Sequence, residues 1–294
     1  MTDTVFPSAG LDALPPREMA KKAEGLGVTK AGMAAADTFA LSVLAGAFIA
    51  MGAMFATTVT AGGASLPYGV ARLLAGLAFT LGLILVVVAG AELFTGNNLI
   101  VMAWASRKVS TARLLRNWAI VYAGNFAGSI ATAALLFAGK QYTFGKGAVG
   151  EQALTIATTK TGLGFAQAIA LGAFCNALVC IAVWLTYSAR STTDKILAVI
   201  PPIAAFVAAG FEHSVANMFF IPMGLFVKSD ATFVAAHPVA GVSHLTWSHF
   251  FVDNLLPVTI GNILGGAVMV GAIYWFVYLR AEARGRTATK EVAT

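Results

Sequence analysis

Charge is what this sequence has least of. Only 11% of its 294 residues are Asp, Glu, Lys or Arg, against about a quarter in an ordinary soluble domain. Apolar residues take up the difference: 58% of the chain is hydrophobic and the mean hydropathy is +0.79. Several uncharged runs exceed the ~18 residues that mark a membrane-crossing helix. Cysteine is nearly absent. Cys175 and Cys180 share one apolar run at a spacing that suits neither a disulfide nor a metal site, so they read as small buried packing residues. Histidine is scarce too, and three of the four, His237, His244 and His249, fall in or beside one polar stretch. An intramembrane enzyme needs a nucleophile with its base, or a metal-ligand set. With neither pattern present, the chain reads as non-enzymatic, with no metal and no cofactor. The net charge of +6 is spread over loops and makes no nucleic-acid surface. The polar residues 1–37, with Pro15 and Pro16 adjacent, do not form a secretory signal.

The few polar groups inside the apolar runs therefore carry the information. Six spans are expected at about 38–60, 71–106, 117–138, 163–187, 196–227 and 249–279. The second is interrupted by Gly90-Ala91-Glu92-Leu93-Phe94-Thr95-Gly96-Asn97. The fifth is interrupted by Gly210-Phe211-Glu212-His213-Ser214-Val215-Ala216-Asn217. Both read G-x-E-x-x-x-[AG]-N, 120 residues apart. Ionisable groups at membrane depth are costly, and irregular backbone survives there only when packed in protein or lining a cavity. Both spans are thus expected to be broken helices. A second match supports a repeat: Asn117, Gly124, Asn125 and Gly128 have the spacing of Asn254, Gly261, Asn262 and Gly265. A weaker third aligns Gly46-Ala47-Phe48 with Gly172-Ala173-Phe174. Each unit holds three spans, an odd number, so the second copy enters the membrane from the opposite face. The expected organisation is a 1–37 lead-in, a repeat over 38–139, a polar loop over 140–162, a second repeat over 163–279 and a tail over 280–294. Within the lead-in, Pro16–Gly25 reads as a short surface helix stopped by its glycine. That helix is either a solvated lead-in or a membrane-surface or gating element. Fourteen of the 19 Lys and Arg fall on the side of the two ends, and the positive-inside rule makes that side cytoplasmic.

Half-helices that start near the membrane centre present free N–H groups and positive dipole ends, which favour anions. Asn97, Asn98 and Asn217 can satisfy loop backbone, while Thr95 and His213 can offer donors to a solute. His213 is the histidine inside a span core. It could cross-link helices, but its position at the repeat junction, opposite Leu93 in the first copy, favours a pathway role. Glu212 beside it invites a proton dyad, yet neighbours on a helix point about 100° apart. Glu92 and Glu212 read better as architecture of the breaks, holding loop N–H groups or touching a neighbouring subunit. The pattern suits a conduit for a small anion or polar solute. A water or glycerol channel shares an inverted repeat, but the breaks carry no Asn-Pro-Ala pair. A scaffold or sensor would conduct nothing.

Several pieces together resemble the formate/nitrite transporter family, and within it the bacterial formate channels. They are Glu92-Leu-Phe-Thr-Gly96, Asn117-Trp118, Gly124-Asn125, Asn176 with Val179-Cys180 and Trp184, Gly210 to Phe219, and Asp253 to Asn262. The resemblance runs from Met19 to Arg280. It implies an all-α, six-span, aquaporin-like inverted-repeat fold, a homopentamer with one pore per subunit, and a bacterial cytoplasmic membrane location in contact with lipid. It implies that His213 is the central pore histidine, Thr95 its partner, Lys160 the basic residue of the outer vestibule, and Asn176 a polar link to it. Apolar constrictions would be Phe79 and Phe206 outside, and Leu83, Phe94 and Val179 inside. The implied cargo is formate, moved with pH dependence and with a proton or hydrogen bond given by His213. Gly96 resembles the nitrite members instead, and nitrite, lactate, acetate and hydrosulfide are the rival anions.

Overall fold

The computed structural model describes residues 13–63 and 66–283; the tail cations Arg284, Arg286 and Lys290 lie outside them. The described residues are helical throughout, with no strand. Helix α1 covers Pro16–Gly32, with Pro16 at the first position, where its missing N–H costs nothing. It runs through Gly25 rather than stopping there. The reason is Gly27, where an added Cβ would lie 3.1 Å from Ala103 Cβ: hydrogen there lets the helix lie flat on the segment after the first break.

Helices α2 (Ala35–Thr60), α3 (Tyr68–Ala89), α5 (Thr111–Ala138), α7 (Phe165–Ser188) and α11 (Trp247–Tyr278) are each long and apolar enough to cross a membrane. The remaining crossing is divided between α8 (Thr192–Ala208) and α9 (Ser214–Ser229). In the first copy the division falls late. Helix α3 already spans 22 residues, and only five residues of 3₁₀ helix and the five-residue α4 (Val101–Ala105) follow the break. The stretch 140–162, read as a polar loop, contains α6 (Ala148–Thr161). Its buried Val149, Ala153, Leu154 and Ala157 fall at helical spacing, so tertiary packing holds a helix whose outer face is polar. Asp230 caps the short α10 (Ala231–Ala236), its Oδ1 accepting from the Phe233 N–H at 3.0 Å. Helix α11 loosens into π-helical turns at Phe250–Leu255 and Leu264–Ala272. Pro257, just after the first, cannot donate to the ladder there.

The two halves are locked by matching glycine crossings. A Cβ at Gly128 of α5 would sit 2.0 Å from the Val43 carbonyl oxygen, and one at Gly265 of α11 would sit 2.0 Å from that of Ala173. These contacts correct the third sequence match. Gly128 pairs with Val43 as Gly265 pairs with Ala173, so the mate of Gly172 is Ser42, and Gly46 is the mate of Asn176. The Gly-Ala-Phe triplets align one helical turn out of register. Three crossings separate α1 from α6, which puts these two helices on opposite faces.

Overpacking a dense helix crossing costs about 1–3 kcal/mol, and more where backbone is the obstacle. Gly128→Ala and Gly265→Ala should therefore each lower the thermal midpoint of the detergent-solubilised protein by several degrees. Gly69→Ala, with nothing within 4 Å of the added carbon, should not.

Candidate functional site

Each break is closed by one asparagine from a neighbouring span. Asn125 of α5 donates to the carbonyls of Ser42 (2.8 Å) and Glu92 (2.9 Å) and accepts from the Phe94 N–H at 2.9 Å. Asn262 of α11 donates to Gly172 (2.8 Å) and Glu212 (2.9 Å) and accepts from the Ser214 N–H at 2.9 Å. The two break carboxylates do something else. Glu92 accepts from Lys30 Nζ at 2.6 Å and from Asn97 Nδ2 at 2.7 Å. Asn97 Nδ2 also reaches Asn117 Oδ1 at 3.0 Å, and Asn117 donates back to the Lys30 carbonyl at 3.1 Å. In the second copy Glu212 accepts from Lys160 Nζ (2.8 Å) and Asn217 Nδ2 (2.7 Å). Asn217 reaches Asn254 Oδ1 (2.7 Å), and Asn254 donates to the Lys160 carbonyl at 2.8 Å. Loop N–H groups are thus held by Asn125 and Asn262, not by the glutamates. Asn97 and Asn217 serve the carboxylates, whereas Asn98 does bond loop backbone, donating to the Phe94 carbonyl at 2.9 Å.

Lys30 was not singled out in the sequence. The signal was there: Lys30-Ala-Gly32 and Lys160-Thr-Gly162 stand 130 residues apart, the same offset as Ser42 and Gly172. The paired residues therefore extend past the expected repeat boundaries at 38 and 163, into α1 and α6.

Two cavities flank the breaks. One, of about 370 Å³ on the α1 face, is lined by Lys22, Lys30, Lys195, Glu92, Leu83 and Gly96 among others. The other, of about 600 Å³ on the α6 face, is lined by Arg72, Glu151, Lys160, Glu212 and His213, with Phe79, Phe206 and Phe220. No residue lines both. Burial and the neighbouring charges of Lys195 and Arg190 hold the Lys22 ammonium below its ordinary pKa, a sign of crowded positive charge on the α1 face. Phe79 meets Phe206 edge-on at 5.6 Å, and Lys160 Nζ lies 5.4 Å from the centre of the Phe220 ring. Phe94 and Val179 line neither cavity. They are buried with Leu83, Phe79 and Phe206 in one apolar cluster, the Phe94 ring against Trp118 and Tyr122.

Between the cavities sits one polar contact. Thr95 Oγ1 and His213 Nε2 are 2.9 Å apart, and Thr95 has no exposed surface. His213 is also the N-cap of α9, its Nδ1 accepting from the Ala216 N–H at 3.0 Å. An accepting Nδ1 carries no proton, so the neutral ring has its proton on Nε2 and donates it toward Thr95. Asn176 does not bond Lys160. Its amide donates to the carbonyls of Thr95 (3.3 Å) and Asn262 (2.7 Å) and to Asn98 Oδ1 (3.3 Å), which ties the first break to α11, the span whose Asn262 closes the second. Cys180 Sγ points at the Thr95 carbonyl as well, at 3.3 Å. Among the described residues no group of His, Cys, Asp and Glu is placed to hold a metal.

Inverted helical repeats, two broken helices and a buried polar contact flanked by two charged cavities define a membrane conduit for small solutes. The formate/nitrite transporter family profile matches residues 17–276, and the chain belongs to that family. It is a family of transporters rather than enzymes. The chain is 45% identical over 274 residues to the formate channel FocA of Escherichia coli (strain K12), covering 92% of this chain and 96% of that one. It is 40% identical over 264 residues to the formate channel FocA of Haemophilus influenzae, covering 88% and 93%. A solved pentameric formate channel with formate bound superposes with a TM-score of 0.78 at 48% identity, over 83% of this chain and 98% of that chain. An FNT family ion channel gives 0.73 at 28% identity, over 88% and 98%.

Asn262→Ala would strand the Ser214 N–H and the Glu212 carbonyl at the second break, each worth roughly 1–3 kcal/mol when buried unpaired. The expected result is loss of folded protein, or a large fall in thermal midpoint, with Asn125→Ala behaving alike.

Proposed function

We propose that this chain is a formate channel of the bacterial cytoplasmic membrane. In this reading it forms a homopentamer with one pore per subunit, and its α1 face is cytoplasmic. The observation that carries the reading is the His213–Thr95 contact, buried beside the apolar cluster at the inner end of the α6-face cavity, with lysine lining that cavity and the one on the α1 face. The relatives' formate activity and the pentameric neighbour support the cargo and the assembly. Large apolar side chains left bare, such as Leu135, Val277 and Leu73, suit lipid and neighbouring subunits. The Arg17–Glu282 ion pair keeps the two described ends on one face, the face on which most of the Lys and Arg collect.

Lys160 on the outer side and Lys30 on the inner side, each paired with its glutamate, offer an anion N–H donors in their cavities. An anion in hydrocarbon pays tens of kcal/mol by Born estimates, so the cluster of Phe79, Phe206, Leu83, Phe94 and Val179 opposes bare formate. The neutral acid crosses far more cheaply. The proton it needs comes from the water of the cavity, and it returns to water on the far side. His213 holds the solute at the midpoint with its Nε2–H, beside Thr95. A ring that must keep Nδ1 bare to cap α9 is suited to giving a hydrogen bond rather than a proton. Glu92, Glu212, Asn97 and Asn217 are structural, and Asn176 ties the first break to α11. The helices α1 and α6 belong to the repeat, with Lys30 of the one answering Lys160 of the other. Nitrite is the second reading. It rests on Gly96, which lines the inner cavity where a serine would also fit, an added Cβ meeting only Val183 at 3.5 Å.

His213→Asn tests this, because asparagine is itself a good N-cap: it restores the Ala216 bond but not the donor at Nε2. Formate uptake by liposomes holding the variant should fall about tenfold, the value of one hydrogen bond, with the protein still folded. Thr95→Val should act in the same direction. An unchanged rate in both would remove His213 from the pathway. Competition of nitrite with labelled formate in the wild type ranks the two anions.

A further inference from the structure

The two cavities differ in how their charge responds to acid. On the α1 face Lys22, Lys30 and Lys195 stand against Glu92, an excess of positive charge at any physiological pH. On the α6 face Arg72 and Lys160 stand against Glu212 and Glu151, and the four cancel. Arg72 is fixed there by its guanidinium, which donates to the carbonyls of Val207 and Ala208 at the end of α8. Lys160 is fixed by Glu212. Glu151, in the first turn of α6, is the one whose partner can change charge: His237 Nδ1 lies 2.7 Å from its Oε1.

The seat of His237 is built. Its ring stacks on Phe233 at 4.5 Å and 24°. On the other side it fills the space over Gly147, whose φ of +89° excludes a side chain and where an added Cβ would lie 2.3 Å from the ring. The remaining charged groups around it are already engaged or turned outward. Tyr142, edge-on to Phe233 at 5.1 Å, donates to Asp230 at 2.7 Å, and that bond holds the Asp230 carboxyl below its ordinary range. Lys140 lies near Asp230, Lys146 precedes Gly147, and Lys228 donates to the carbonyls of Ser243 and Leu245. A proton on Nδ1 can donate to Glu151 in both the neutral and the charged ring. The contact therefore survives titration and only the charge changes.

We propose that the His237–Glu151 pair sets the charge of the α6-face mouth, making it neutral when His237 is neutral and net positive when His237 is protonated. The inference rests on the transport reading above. It assigns Glu151 and His237 as residues that tune anion capture from the outer side alone, and it makes the protein asymmetric: the inner mouth attracts anions constantly, the outer mouth in acid. Histidine is the side chain suited to that range, and a single charge at a mouth alters local anion concentration and capture rather than the crossing itself.

The test uses the full-length protein in right-side-out membrane vesicles, with inner pH fixed and outer pH stepped from about 5.5 to about 8. Initial inward formate flux is split into kcat and KM. At the acid end His237→Gln should raise the inward KM about threefold over wild type, and at the alkaline end Glu151→Gln should lower it about threefold. In both, kcat and outward flux stay at wild-type values. The ratio of His237→Gln to wild-type KM must change with outer pH, approaching one at the alkaline end. A His237→Gln ratio that is flat across the pH range would overturn the proposal, and so would an equal effect on outward flux. Wild-type vesicles with no formate flux at all would overturn the functional reading, and the inference with it.

Discussion

A chain that breaks its helices inside a membrane must find a partner for every exposed backbone group, because no water is there to supply one. In this protein the centre of each break is held by one carboxamide, while the Leu41 and Leu171 carbonyls take the Glu92 and Glu212 N–H groups. Asn125 and Asn262 each reach across from a neighbouring span, donate twice and accept once, and so hold both the carbonyl before the break and the amide after it. The geometry works only if the spans approach closely, and the glycines flanking each asparagine, Gly124 and Gly128 in α5 and Gly261 and Gly265 in α11, provide that approach. Backbone satisfaction and helix packing are thus one constraint. The ion-paired cages of Glu92 and Glu212 are built on top of it, each anchoring a lysine at one face.

Since the scaffold is duplicated, the positions that differ between the copies stand out. Ser42 answers Gly172, Lys30 answers Lys160, and Glu92 answers Glu212 through almost the same hydrogen bonds. His213 answers Leu93. The asymmetry extends to the hydrogen bonds of the lysines. Lys30 bonds both Glu92 and Asn97 Oδ1, at 2.6 and 3.0 Å. Lys160 bonds Glu212 alone among the break residues and turns toward the Phe220 ring, and Asn217 Oδ1 is buried without a hydrogen bond. The second cage has its own extra bond instead, Asn254 Nδ2 to Glu212 Oε2 at 3.3 Å, so the two are closed differently.

Much of this was legible in the sequence because membrane burial makes polar residues scarce and therefore meaningful. The Glu-x-x-x-x-Asn skeleton, the Asn-Gly spacing in α5 and α11, and the histidine with no counterpart all survive intact in the structure. Residues outside the apolar runs were harder. Lys30 and Lys160 look like ordinary loop lysines, since nothing in a polar stretch distinguishes a solvated ammonium from one folded back onto a buried carboxylate. The helix α6 was hidden for the same reason: its buried face consists largely of Ala and Val, a weak periodic signal beside Lys146, Glu151 and Lys160. The Gly-Ala-Phe match shows the opposite error. A short apolar triplet recurs easily in a composition rich in Gly and Ala, and only the carbonyl that each asparagine contacts fixes the true register. Asn176 could be placed in the core from its span, but which polar partners it would choose depended on how the two breaks meet.

His213 serves both halves of the second break's chemistry at once. Its Nδ1 caps α9 and its Nε2 faces Thr95. Protonating the ring fully would put a hydrogen where the Ala216 amide already points, so the charged form loses a cap worth about 1 kcal/mol besides its cost of burial. The fold thereby biases the histidine toward the neutral, Nε2-protonated state with no further residue needed. In the proposed channel that bias has a use: a fixed imidazolium would bind formate as an ion pair in a low-dielectric setting, where such pairs separate slowly, whereas a neutral donor would give the solute one directional hydrogen bond, enough to replace a water and weak enough to release.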